Sequence, residues 1–181
     1  MSKIGSLSKS HRWSEIKQRA QTCDSKTLMA LLQDLYELSP ENRRFLHARF
    51  MGADADIDEY RKRIHQAIYP DPLGSRAVRV PEAVRMIRQY YRATGDPFRT
   101  INLVVYGLEI GVEQAKDLGM YEEYFMRLAT LGKMLLQLYS ELPTDERTAV
   151  REQFRRVADG GQDIGWGFGD ELQELLLELE D

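Results

Sequence analysis

Apolar residues recur every three or four positions along almost the whole chain, which is the spacing that places them on one face of an α-helix. No stretch alternates apolar and polar residues between tight turns, as half-buried strands do. The pattern therefore predicts an all-α protein. We expect a single domain of about seven to eight helices packed as antiparallel hairpins, and the pattern leaves a solenoid-like array open.

Two segments stand out in this pattern. Residues 25–38 carry leucines on one broad stripe, which predicts a helix that faces a core. The segment from Phe98 to about Ala115 is apolar on nearly all sides, as expected of a central helix surrounded by neighbours. Within it, Gly107 and Gly111 would let a neighbouring helix approach closely.

The chain divides by composition near its start. Residues 1–24 form a basic N-terminal segment, which we expect to be partly flexible or a short helix, and residues 25–181 form a single helical domain. Pro70 and Pro72 interrupt the helical pattern. The stretch 70–80 is therefore predicted to be a hinge-like loop.

Neither a leader nor a membrane span is expected from the apolar runs. Residues 1–10 lack the apolar stretch of a secretory signal. The most apolar run, residues 101–112, is far shorter than the ~20 residues that cross a bilayer. We therefore expect a cytoplasmic protein with no membrane contact.

One part of the sequence echoes another. When the sequence is shifted by 104 positions, residues 31–50 match residues 135–154 at several places. The matches pair Leu31, Leu32, Gln33, Glu37, Leu38, Arg43 and Phe50 with Leu135, Leu136, Gln137, Glu141, Leu142, Arg147 and Phe154. Two interpretations stay open: duplication of a helical unit, or the chance similarity of two leucine-faced segments.

The hydrophobic content of 43% excludes a disordered chain. Charge, however, is unevenly distributed along the sequence. Residues 1–100 hold 18 Lys and Arg against 12 Asp and Glu, a balance of +6, and the remainder holds 7 against 17, a balance of −10. Either the two parts neutralise each other, or the basic part binds an anion. The candidate partner- or anion-binding residues are Arg43, Arg44, Arg76, Arg79, Arg85, Arg88 and Arg92.

A glycine-rich stretch near the C-terminus is the most unusual local sequence. Residues 160–170 place Trp166 and Phe168 between glycines, directly before a predicted helix. One interpretation is a tight turn that buries both aromatic side chains on the core. The other is a recognition loop that displays Trp166 and Phe168 to a partner.

Catalytic and metal chemistry find little support in the sequence. Cys23 is the only cysteine and three histidines are far apart, so we expect no metal site and no cofactor. Glu109 and Glu113 share a helix face and would form an acid–base pair if buried, with a site between Glu109 and the Trp166 loop. Without a nucleophile motif we predict that the protein is not an enzyme.

Two motifs give the chain a family resemblance. The segments LLQDLYELSPENRRFL at 31–46 and GWGFGDEL at 165–172 resemble short bacterial helical proteins that are grouped as a domain of unknown function. The resemblance implies an all-helical cytoplasmic protein. It implies no activity, cofactor or catalytic residue.

The function predicted from these features is that of a non-catalytic helical protein-interaction module or scaffold. Its partner would be another protein, with a homodimer among the forms expected. The alternative is a nucleic-acid-binding protein that uses the arginine-rich face of residues 43–92. The sequence pI near 5.5 favours the first hypothesis, since proteins held by phosphate contacts are usually basic.

Overall fold

A computed structural model describes residues 13–52, 54, 56–70 and 77–180 of the chain. Those residues form nine α-helices and no strand, which confirms the all-α prediction with one helix more than expected. The helices are α1 (Trp13–Ala20), α2 (Ser25–Leu38), α3 (Pro40–Met51), α4 (Ile57–Ile68), α5 (Val80–Thr94), α6 (Pro97–Leu118), α7 (Glu122–Tyr139), α8 (Thr144–Gly161) and α9 (Phe168–Glu180).

The chain forms two compact units, which divide within α3. Unit 1 comprises Met1–Arg43 and unit 2 comprises Arg44–Asp181. The predicted boundary near residue 24 and the hinge-like character of 70–80 stay predictions, and residues 71–76 of that loop lie outside the described part. No helix of the described part is long and apolar enough to cross a membrane.

Unit 2 is built around α6. This helix contacts α4, α5, α7 and α8, while α9 lies against α7 and α8. Twelve of its 22 residues are buried, as the prediction of a central helix requires. The hairpins α4–α5, α6–α7 and α8–α9 therefore close around one shared core.

Two glycines of α6 explain how closely α7 approaches it. A Cβ atom added at Gly111 would lie 2.7 Å from Cδ1 of Leu128, and one at Gly107 would lie 3.1 Å from Cδ1 of Leu131. Both leucines are fully buried, so they have little room to move away. The close approach predicted for these two glycines is confirmed.

Unit 1 has regular helix ends but no buried core residue in its helices α1 and α2. The Asp24 carboxylate accepts a hydrogen bond from the Thr27 backbone N–H at 2.7 Å and begins α2. Ser39 ends α2, and its hydroxyl accepts a bond from the Asn42 N–H in the first turn of α3. No residue of α2 is buried, so the prediction that its leucine stripe faces a core is wrong for this chain.

Candidate functional site

The leucine stripe of α2 is an exposed apolar surface, which we call the α2 face. Its large side chains are 40% to 75% exposed. They are Leu31, Leu35 and Leu38, whereas Met29 and Tyr36 are exposed on the other side of α2. In α1, Trp13 and Ile16 are exposed as well. Contiguous apolar surfaces of this kind in soluble proteins mark sites that bind another molecule.

Three of the predicted anion-binding residues form one stripe on α5. Arg85, Arg88 and Arg92 are exposed and lie at positions i, i+3 and i+7 of the helix. Their guanidinium groups form no ion pair with any described carboxylate. This α5 stripe is therefore open to an anionic partner.

The remaining predicted arginines do not join that stripe in the same way. Arg44 is buried, and its guanidinium lies 3.6 Å from the Glu59 carboxylate. Arg79 forms an ion pair with Glu82 at 2.7 Å in a groove of about 810 Å³ that mixes acidic and basic side chains. Both are held by carboxylates of their own chain, and their contact with a partner stays a prediction.

The two other predicted anion-binding arginines are Arg43 and Arg76. Arg43 belongs to unit 1, where its guanidinium lies over the Tyr36 ring at 6.0 Å. Arg76 lies outside the described residues, so its role stays a prediction. Sequence spacing correctly placed the α5 arginines on one face but could not reveal which of the others find a carboxylate.

The glycine loop between α8 and α9 buries one of its two aromatic side chains and exposes the other. Phe168 is buried, with its ring 5.0 Å from that of Phe125, and is not available for recognition. Trp166 is exposed and has a positive φ of 61°, a region that bulky residues rarely occupy. The turn therefore packs one aromatic side chain and displays the other.

Close backbone contact sets the shape of this turn. A Cβ atom at Gly169 would lie 2.7 Å from the carbonyl oxygen of Gln162, and one at Gly161 would lie 2.4 Å from Cδ1 of Leu172. Only glycine allows α9 to fold back so closely on the end of α8. Helix α9 begins at Phe168, directly after this turn, and Asp170 lies in its first turn.

The two glutamates of α6 do not have the burial that the acid–base hypothesis requires. Glu109 and Glu113 are both exposed, so they do not form the buried pair that this hypothesis requires. Glu109 instead lines a groove of about 260 Å³ between α4, α6 and α8, together with Arg61 and Arg156. Searching the described residues reveals no group of three His, Cys, Asp or Glu side chains placed to hold a metal ion.

Sequence reasoning missed this groove as a site. The signal was present, because Asn102 and Glu109 interrupt the most apolar run of the chain. The contribution of α8, however, comes from residues about fifty positions further along. Periodicity within one helix carries no information on such a partner.

Fold and surfaces together define the class: an all-α protein of paired helices with an uncovered apolar helix and an arginine stripe. No family model, no curated protein and no solved structure matches the chain. The resemblance to a bacterial helical family therefore stays a prediction.

Proposed function

We propose that this chain is a helical protein-interaction module that self-associates through the α2 face. The observation that carries the proposal is the complete absence of buried residues in α2, a helix with eight hydrophobic side chains. An amphipathic helix gains most of its stability by burying its apolar stripe. A second protein surface would supply that burial.

The spacing of the leucines supports pairing with another helix. Leu28, Leu31, Leu35 and Leu38 alternate steps of three and four, the repeat that lets two helices interlock at a small crossing angle. The hydrophilic residues of α2, among them Lys26 and Glu37, lie on its opposite side. The leucine face of α2 therefore suits a helical partner.

A second copy of the same chain is the occupant that the surface chemistry favours. Every described helix from α3 to α9 contributes buried residues, whereas α1 and α2 contribute none. A two-fold axis brings the same patch of two copies together, so a leucine stripe meets its equal.

Sedimentation velocity across a concentration series tests this proposal with two matched variants. Leu31→Glu places a charge in the middle of the α2 face. Leu177→Glu places the same charge at an exposed leucine of α9, in unit 2. We expect a dimer for the wild-type chain and for Leu177→Glu, and a monomer for Leu31→Glu with unchanged helical content.

Two results would overturn the proposal. One is a wild-type chain that stays monomeric at every concentration. The other is a dimer that Leu31→Glu leaves intact, since its interface would then lie elsewhere.

The α5 stripe supports a second candidate function, the binding of nucleic acid. Three unpaired guanidinium groups that neutralise three phosphates of a duplex give a log–log salt slope of about −2.7. Fluorescence anisotropy of labelled DNA and RNA measures this slope directly. Arg88→Gln should reduce its magnitude by about 0.9 if the stripe is the site. No binding at low salt would remove this candidate and leave the interaction module.

A further inference from the structure

The groove between α4, α6 and α8 of unit 2 collects polar groups from three helices that are far apart in sequence. Its volume is about 260 Å³, which suits a small molecule and no large ligand. The polar groups that line it are Arg61 of α4, Asn102, Tyr106 and Glu109 of α6, and Gln153 and Arg156 of α8.

A polar stripe on the otherwise apolar α6 forms the floor of the groove. Asn102, Tyr106 and Glu109 occupy positions i, i+4 and i+7, so they follow one another along a single face. Their neighbours in the chain, such as Leu103 and Leu108, are fully buried in the core. The three polar residues are therefore held on a rigid helix, which is a better support for a site than a loop.

Two cationic side chains flank this floor without carboxylate partners among the described residues. The Arg61 guanidinium lies 5.7 Å from the centre of the Tyr106 ring, a contact that orients the group. Arg156 forms no described ion pair, whereas its neighbour Arg155 pairs with Glu180 at 2.6 Å. The groove therefore presents two guanidinium groups that are available to an anion.

Two acceptor groups of α6 lie at this groove, one enclosed and one exposed. The Asn102 side-chain oxygen is buried and accepts no hydrogen bond from any described group. The Glu109 carboxylate is exposed and has no described ion pair, so a cation can reach it in the groove.

We infer that this groove binds a small zwitterion, a free amino acid, whose carboxylate contacts Arg61 and Arg156 and whose ammonium contacts Glu109. A ligand that is only anionic would face the Glu109 charge. A ligand that is only cationic would face two guanidinium groups. The zwitterion satisfies both sets of groups at once, because each of its charges meets the opposite sign.

The Tyr106 hydroxyl adds a neutral contact to this arrangement. Burial raises its pKa, Arg61 lowers the pKa by a smaller amount, and the carboxylates of Glu109 and Glu113 raise it further. Tyr106 is therefore protonated at neutral pH and can donate or accept a hydrogen bond.

Titration with each common amino acid in turn, followed by NMR of the Asn102 and Gln153 side-chain amides, tests the inference on the full chain. Concentrations up to about 10 mM cover the Kd of about 1 mM that a few such contacts would give. We expect at least one amino acid to shift both amides with saturation. The 2-oxo acid with the same side chain should bind at least tenfold more weakly, since it lacks the ammonium group.

A pair of neighbouring arginine variants locates the site. Arg156→Gln removes a groove guanidinium, and Arg155→Gln removes an exposed one that pairs with Glu180. We expect Arg156→Gln to weaken binding at least tenfold and Arg155→Gln to change it less than twofold. Both side chains are exposed, so neither change should prevent folding.

The inference is overturned if no amino acid shifts the two amides, if the oxo acid binds equally well, or if the two variants weaken binding alike. None of these results bears on the α2 face, because no groove residue belongs to unit 1.

Discussion

Residues 31–50 and 135–154 share their letters at seven positions 104 apart, but they differ in burial. The exposed fractions are 48%, 75% and 68% for Leu31, Leu38 and Phe50, against 0%, 4% and 0% for Leu135, Leu142 and Phe154. The same leucine and phenylalanine positions are therefore surface in one segment and core in the other. The apolar pattern specifies a face, and the rest of the chain decides whether that face is covered.

Local geometry is alike in the two segments. The second helix of each begins at matching positions, Pro40 for α3 and Thr144 for α8. In each, a side chain of the second helix donates to a carbonyl oxygen seven residues earlier: Asn42 to Leu35 at 2.7 Å, and Arg147 to Ser140 at 2.9 Å. The shared letters thus accompany a shared corner between two helices. Whether the segments are a true repeat stays a prediction.

The difference lies in the neighbours of the second segment. Helix α9 covers α7 so closely that a Cβ atom at Gly132 would lie 2.5 Å from Cδ1 of Leu175. The Tyr139 hydroxyl also donates to the Leu179 carbonyl oxygen at 2.8 Å. Within the described residues no helix covers α2 in the same way. This contrast is the reason to assign α2 an intermolecular partner.

The largest expected effect distinguishes the two matched phenylalanines. Phe154→Ala should lower the free energy of unfolding by about 3–5 kcal/mol, since it empties a fully buried site. Phe50→Ala should lower it by less than about 0.5 kcal/mol, because the Phe50 ring is exposed. Urea denaturation measures both values. Equal losses would show that Phe50 is covered within the monomer.

A second change should make the covered segment resemble the uncovered one. Gly169→Ala forces a Cβ atom against the Gln162 and Gly161 carbonyl oxygens and so pushes α9 away from α8. We expect a loss of about 1–3 kcal/mol in unfolding free energy and increased binding of an apolar dye. Gly165→Ala, where no atom lies within 4 Å, is the control and should change little. Similar losses for both variants would contradict the role given to the α8–α9 turn.

High pH tests the burial of the core of unit 2. Burial raises the pKa values of Tyr60 and Tyr90 to about 12, and their rings pack edge to face at 5.1 Å. Above pH 10 the unfolded chain loses these protons while the folded chain keeps them, so stability falls between pH 10 and about 12. Each of the two tyrosines should lower the free energy of unfolding by about 1.4 kcal/mol per pH unit in that window.

The variant Tyr60→Phe checks this contribution. The Tyr60 hydroxyl is buried without a described hydrogen-bond partner, so its removal should raise the free energy of unfolding at neutral pH by about 1 kcal/mol. The alkaline loss should become less steep, as chemical denaturation at several pH values would show. A loss of stability at neutral pH would mean that the hydroxyl has a partner.

The smallest effect concerns the helix corners. Arg147→Ala removes a hydrogen bond to Ser140 and a contact with the Tyr139 ring at 5.4 Å, and should cost about 1 kcal/mol. Arg43→Ala removes only the contact with Tyr36 and should cost about half as much. Thermal unfolding of the two variants gives the comparison. A larger cost for Arg43→Ala would contradict the similarity of the two corners.

Much of the fold could be predicted from periodicity and helix-end residues. The Ser39–Pro40 start of α3 and the buried character of α6 follow from local rules, because a cap and an apolar surface are encoded within a few neighbouring residues. Gly107 and Gly111 likewise predicted the close approach of a helix, because glycine has no Cβ atom to hold a neighbour away. These features need no knowledge of distant parts of the chain.

Sites were harder to predict because they depend on distant residues. The leucines of α2 match those of a core helix, yet within the described part of the chain none of them is buried. Arg44 matches the exposed arginines in sequence, but Glu59 from the next helix holds it. The groove around Asn102 needs α4 and α8 to be in place before it exists.

Backbone hydrogen exchange at low and high protein concentration tests the central claim, that a second copy covers the α2 face. The account predicts that amides of α2 exchange fast at low concentration and become protected at high concentration, while those of α7 are protected at both. Leu31→Glu should abolish the concentration dependence. Protection of α2 that does not depend on concentration, whether strong or weak, would contradict the account.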